Sequence, residues 1–155
     1  KDTLSHTGAD RIEWLISTNK GLPVGPLSQV ASGGELSRLM LAIESNIACH
    51  DPNLTMVFDE VDSGIGGAVS TAVGERLSKL GQNRQVLVVT HSPQVASQSR
   101  NHFLVKKRVM NDITKIELLE IKGENKVNEI ARMLSGKQIT NEAILAAKKL
   151  MEKSF

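Results

Sequence analysis

Apolar residues recur along this chain with two spacings, and the switch between them marks its elements. Leu36, Leu39, Met40, Ile43 and Ile47 fall at i, i+3, i+4, i+7 and i+11, the spacing of one helix face. Ser32 and Glu35 form an S-x-x-E capping box at its start. The predicted helix runs to about Cys49 and stops before Asp51-Pro52, because proline disfavours helical geometry in the residue ahead of it. Ile65, Val69, Val73, Leu77 and Leu80 predict a second helix with Gly81 as its stop. Towards the C-terminus Val127, Ile130, Ala131 and Leu134 line one stripe closed by Gly136. Thr140 then caps a helix whose apolar side is Ala143, Ala147, Leu150 and Met151.

Between these segments the pattern is that of strands. Residues 11–16 alternate, with Ile12, Trp14 and Ile16 on one face of a half-buried strand, and 18–26 read as a loop. Residues 54–58 and 85–90 are nearly unbroken apolar runs, which predicts strands covered on both faces, as in parallel sheets. With the helix between them they make one right-handed crossover unit. A short helix follows Ser92-Pro93, then a strand at 102–105, a turn at Asn111-Asp112 and an exposed antiparallel strand at 114–118. The expected fold is α/β, a mainly parallel sheet flanked by helices with a strand pair and two helices at the C-terminus.

Composition narrows the function less than the pattern does. A chain of 155 residues, 40% hydrophobic and 23% charged, suits one compact domain, 1–155, with a sizeable core. Aromatic residues make up only 3%, with no Tyr, which argues against stacking platforms for single-stranded nucleic acid. A net charge of +2 is too small to imply DNA or a membrane as partner, and the basic run Lys106-Lys107-Arg108 reads as a solvated strand end. Cys49 is the single cysteine, so there is no internal disulfide, and a reducing cytoplasm fits. No apolar run approaches membrane-spanning length. Lys1 is not an initiator methionine, so the sequence is expected to be a piece of a longer chain.

The candidate chemistry gathers where strands end. In open parallel sheets ligands bind beyond the carboxyl ends of the strands, and Asp59, Glu60 and His91 all stand there. Asp59 can hold a hydrated Mg²⁺, an ion that favours one or two carboxylates plus phosphate oxygens. Glu60 can orient and deprotonate a water, and His91 can hydrogen-bond a terminal phosphate. Gly33 and Gly34 in the first helical turn cost roughly 1 kcal/mol each relative to alanine. Bare backbone N–H groups at a helix start suit an anion, above all phosphate. A hydrolase triad of Ser32, Asp59 or Asp62, and His91 lacks the G-x-S-x-G elbow that such a serine requires. Cys49, His50 and His102 match no metal-ligand spacing.

Ala31-Ser32-Gly33-Gly34-Glu35 resembles the signature motif of ABC-type ATPases, and Met56-Val57-Phe58-Asp59-Glu60 resembles their Walker B strand with its catalytic glutamate. Asp62 falls at the D-loop aspartate and His91 at the switch histidine. Residues 16–19, 58–67, 90–96 and 129–134 are together similar to the RecN family, SMC-like ATPases of bacterial double-strand break repair. The resemblance implies the C-terminal lobe of a split ATPase head, with Glu60 and His91 catalytic, Asp59 on Mg²⁺, and Ser32, Gly33, Gly34, Glu35 and Asp62 at ATP. It implies as partners the protein's own N-terminal lobe, a second head in an ATP-sandwiched homodimer, and DNA through the full-length protein. A cytoplasmic, nucleoid-associated location follows from the same resemblance. The chain departs from the family pattern in containing no G-x-x-x-x-G-K-[ST] phosphate loop, since Gly136-Lys137 has neither the upstream glycine nor a following Ser or Thr. Alone it is therefore expected to be inactive. Two alternatives stay open: the head of another SMC or ABC protein, and a nucleotide-gated dimerisation module with little turnover.

Overall fold

The computed structural model describes residues 8, 10, 12–17, 20–30, 33–47, 54–110 and 113–152. Leu15–Ile16 (β1) pairs antiparallel with Gly25–Pro26 (β2), and Leu27–Val30 (α1) follows. Next come Gly33–Ile47 (α2), Met56–Asp59 (β3), Gly67–Leu80 (α3), Val86–Val89 (β4) and Pro93–Ser97 (α4). The chain closes with His102–Met110 (β5), Ile113–Ile121 (β6), Glu124–Ser135 (α5) and Asn141–Glu152 (α6).

β3, α3 and β4 form the crossover unit, with β3 and β4 parallel and paired Met56↔Val86 through Asp59↔Val89. Met56 and Phe58 turn inward and join Leu41, Val61, Val73, Leu77 and Val95 in one core. Gly81 ends α3, its N–H donating to the Leu77 carbonyl at 2.9 Å. α3 and α4 cross closely at Gly74, where an added Cβ would lie 2.9 Å from Gln98 Cγ and 3.2 Å from the Gln94 carbonyl. Ser92 caps α4, its hydroxyl accepting from the Val95 N–H. Pro93 fits the first helical position, where no intrahelical N–H bond is lost.

Ala96, Ile130, Ala131, Ala143 and Ala147 make a second core. Thr140 Oγ1 accepts from the Ala143 N–H at 3.2 Å and caps α6. Lys126 is buried among these elements, and its ammonium donates to the carbonyls of Ser97 and Ser99 at the end of α4. Burial lowers its pKa. His102 is held below its ordinary value by burial first and by the Lys126 charge second, against an opposing pull from Glu129.

Four expectations change. The runs 54–58 and 85–90 are covered on one face only, leaving Val57 66%, Leu87 49% and Val89 61% exposed. In α2 the buried positions are Gly34 and Leu41, while Leu36 and Met40 of the predicted stripe stay open and line a groove of about 360 Å³ with Leu54 and Val57. The N-terminal strand shrinks to two residues, with Ile12 and Trp14 exposed and only Ile16 half-buried. The C-terminal strand pair is longer than expected, so Lys106, Lys107 and Arg108 lie mid-strand, with Arg108 paired to Glu117 at 3.3 Å. The first three share a cause: an apolar pattern requires cover without saying which body supplies it. The turn at Asn111-Asp112 and the helix end at Cys49 lie outside the described residues.

Candidate functional site

The parallel register fixes the site. Because Asp59 stands opposite Val89, Glu60 and His91 leave the same edge of the sheet. Asp59, Glu60 and His91 are all exposed. Glu60 has a φ of 54°, a left-handed backbone that non-glycine residues seldom adopt. Its carbonyl accepts from the Ser63 N–H at 2.9 Å, closing a tight turn directly after the strand. Such strain persists where the surroundings impose it, and it clusters at functional sites.

Three side chains hold this edge together. Ser37 in α2 donates its hydroxyl to the Asp59 carbonyl at 3.1 Å. Arg38 Nη1 donates to the carbonyls of Ser63 at 2.9 Å and Val61 at 3.4 Å. Asp62 is buried, and its Oδ2 accepts from Thr90 Oγ1 and from the Ser92 N–H at 3.1 Å. The helix that carries the signature-like motif is thus tied to the strand bearing the carboxylates, and that turn is tied to the segment bearing His91.

The two glycines at the start of α2 differ in their reasons. A Cβ on Gly34 would sit 2.9 Å from the Ser63 carbonyl and 3.1 Å from Arg38 Nη1, so this chain's own turn excludes a side chain there. A Cβ on Gly33 would meet open space, so no described part of this chain excludes a side chain there. Glu35 is half-buried in the first turn, and Ser32 lies outside the described residues. The structure therefore gathers Asp59, Glu60, Asp62 and His91 at one edge, with Asp62 turned inward and the other three open. The exposed carboxylates of Asp59 and Glu60 are hard oxygen donors of the kind Mg²⁺ takes. Among the described residues there is no cluster of three or more His, Cys, Asp or Glu that would form an all-protein cage.

Sequence reasoning missed Ser37, Arg38, Thr90 and Ser92. Arg38 left one trace, its i+4 spacing from Gly34, which puts both on one helix face. The partners of Asp62 follow from the β3–β4 register, which the pattern does not reveal.

In fold the chain is similar to a solved structure from a study of "ATP-driven dimerization and DNA stimulated activation of SMC ATPases" (TM-score 0.50, 22% identity, 76% of this chain and 70% of that one). This α/β lobe, with its crossover unit and its strand-end carboxylates, has the fold of an SMC-type ATPase. No family model matches the chain. Among curated proteins it is 49% identical over 145 residues to "DNA repair protein RecN" of Xylella fastidiosa, covering 94% of this chain and 26% of that protein. It is 50% identical over 129 residues to RecN of Deinococcus radiodurans (83% and 22%) and 42% over 146 residues to RecN of Streptomyces coelicolor (94% and 26%). The chain is a homologue of RecN, and it spans about a quarter of the length of these relatives.

Proposed function

We propose that this chain is the C-terminal lobe of the ATPase head of a RecN-type DNA repair protein, and that it completes an ATP-hydrolysing site in the full-length protein. The observation that carries the proposal is the register Asp59↔Val89, which brings two carboxylates and a histidine to one sheet edge beside a glycine-opened helix. Bound Mg·ATP supplies the phosphoanhydride and the charge that its hydrolysis redistributes. Asp59 would hold the ion through its exposed carboxylate. Glu60 would orient a water and accept its proton, its backbone turn placing the carboxylate beyond the strand end. His91 would donate to the terminal phosphate. Ser32, Gly33, Gly34 and Glu35 would cap ATP held by a second head, with the open space over Gly33 supporting such an approach.

Two features support a partner lobe. The chain has no phosphate loop, and the sheet leaves Val57, Leu87 and Val89 uncovered beside the groove at Leu36 and Met40. An N-terminal lobe carrying G-x-x-x-x-G-K-[ST] would answer both. Action in double-strand break repair, contact with DNA and a nucleoid-associated location in the cytoplasm belong to the same reading. Among the described residues no helix is long and apolar enough to cross a membrane.

The test is complementation in trans. In the full-length protein Ser32→Arg should keep ATP on monomeric heads but lose dimerisation and hydrolysis together. Mixing it with a phosphate-loop mutant should restore one intact composite site. An inactive mixture in which crosslinking demonstrates mixed dimers would refute the trans arrangement. Micromolar ATP binding by the 155-residue chain alone would refute the placement of the nucleotide site.

A further inference from the structure

We infer that Asp62 is a positioning residue that fixes His91, acting within its own chain and not through contact with nucleotide. The inference rests on the catalytic role proposed for His91. Asp62 is only 3% exposed, so its carboxylate is not presented to a ligand. Its Oδ2 takes Thr90 Oγ1 and the Ser92 N–H, the two neighbours of His91 in the chain. The Ser92 N–H is shared with Thr90 Oγ1 at 2.9 Å, so the three groups form a closed triangle. The chain is held on both sides of His91, through the Thr90 side chain and the Ser92 backbone, while the histidine itself stays exposed. Asp62 is held in the same manner, because Arg38 donates to the carbonyls of Val61 and Ser63 on either side of it. The result is a two-step brace in which Arg38 clamps the neighbours of Asp62 and Asp62 clamps the neighbours of His91.

Physical chemistry favours a carboxylate here. Hydrogen bonds to an ionised acceptor are about twice as strong as neutral ones. Deleting the acceptor leaves the half-buried Thr90 hydroxyl without its partner and takes one of two acceptors from the buried Ser92 N–H, so the segment loses its tie to Asp62. Asp62 Oδ1 is buried with no partner among the described residues, so an amide nitrogen placed there would be an unmatched donor. Asparagine should therefore restore the brace in part.

The experiment compares Asp62→Ala, Asp62→Asn, Thr90→Val, His91→Ala and the Asp62→Ala/His91→Ala pair in the full-length protein. Asp62→Ala and Thr90→Val should each lower kcat about tenfold, with KM for ATP and ATP-dependent dimerisation held within about twofold. Asp62→Asn should recover part of that loss. In the His91→Ala background Asp62→Ala should cost almost nothing more, because the residue it positions is gone. A raised KM at unchanged kcat, unchanged turnover in both Asp62→Ala and Thr90→Val, or losses that multiply in the pair would overturn the inference. Thr90→Val keeps the test decisive if Asp62→Ala does not fold.

A second readout needs no ATP. In the 155-residue chain the His91 ring Cε1–H resonance should broaden or split on loss of the brace, in Asp62→Ala or Thr90→Val, while that of His102 stays put. An unchanged His91 resonance overturns the brace whatever the turnover data say. A normal response of that resonance with no turnover defect in His91→Ala would instead sink the catalytic role of His91 and leave the brace standing.

Discussion

The edge where β3 and β4 end and the helical pair of α5 and α6 are built from similar material to opposite effect. In the helical pair, small residues let two helices approach until Ile130, Ala131 and Ala147 are sealed from solvent. Among the described residues its charged couple is local, with Arg132 gripping Glu129 through two bonds of 2.9 and 2.6 Å. At the sheet edge Asp59, Glu60 and His91 are left open, and one stands on a left-handed backbone. There long-range polar bonds that engage Ser37, Arg38 and Asp62 add to the packing of the buried Val61 in fixing geometry. One region minimises its own free energy, and the other holds groups in positions that favour an incoming ligand.

Substitutions on each side should therefore move different observables. Glu60→Gln in the full-length protein is expected to cut ATP turnover by about 10² to 10⁴-fold, the usual scale of general-base assistance, and to leave the melting temperature unchanged. Turnover within a few-fold of the starting protein would remove Glu60 as base. Ile130→Ala should do the reverse. With its side chain fully buried, about 2–5 kcal/mol of stability should be lost in urea titrations, with no defect specific to catalysis.

Thr140→Ala removes the cap of α6 and should cost about 1 kcal/mol in the same titrations. The smallest effect concerns pH. Because His102 is held below its ordinary 6.5 in the folded state, the unfolded chain takes up the proton first as pH falls. The contribution of the neutral ring is present above 6.5 and is lost as pH drops through the lowered folded value. Lys126 and Glu129 face the ring, so His102→Gln should flatten the acid limb of stability against pH without abolishing it. A limb of unchanged slope would show that His102 is not its source.

What the sequence discloses follows the same division. α3, α5 and α6 are legible because their periods and stops are strong and their neighbours are close in the chain, as at Gly81, Thr140 and Gly136. α2 is legible as a helix but not in its facing, since its cover is chosen by Arg38 and Leu41 against residues some twenty positions later. β1 fails for lack of cover: Ile12 and Trp14 alternate correctly and still lie in the open. At the site, residue types at strand ends point to Asp59, Glu60 and His91. The left-handed Glu60 and the inward turn of Asp62 stay hidden, because backbone conformation at a turn and pairing across 28 or 30 positions leave no periodic mark.

Helix α4 is only five residues long, yet Val95 belongs to the core beneath the sheet and Ala96 to the core of the helical pair. Adjacent side chains on one short helix cannot be released from one cluster while the other keeps its native packing. The two clusters should accordingly melt as a single cooperative unit. A calorimetric trace of the 155-residue chain should show one transition, with its van't Hoff enthalpy equal to the calorimetric one. The amides of α4 should exchange with solvent only through global opening, as slowly as the best-protected positions in the chain.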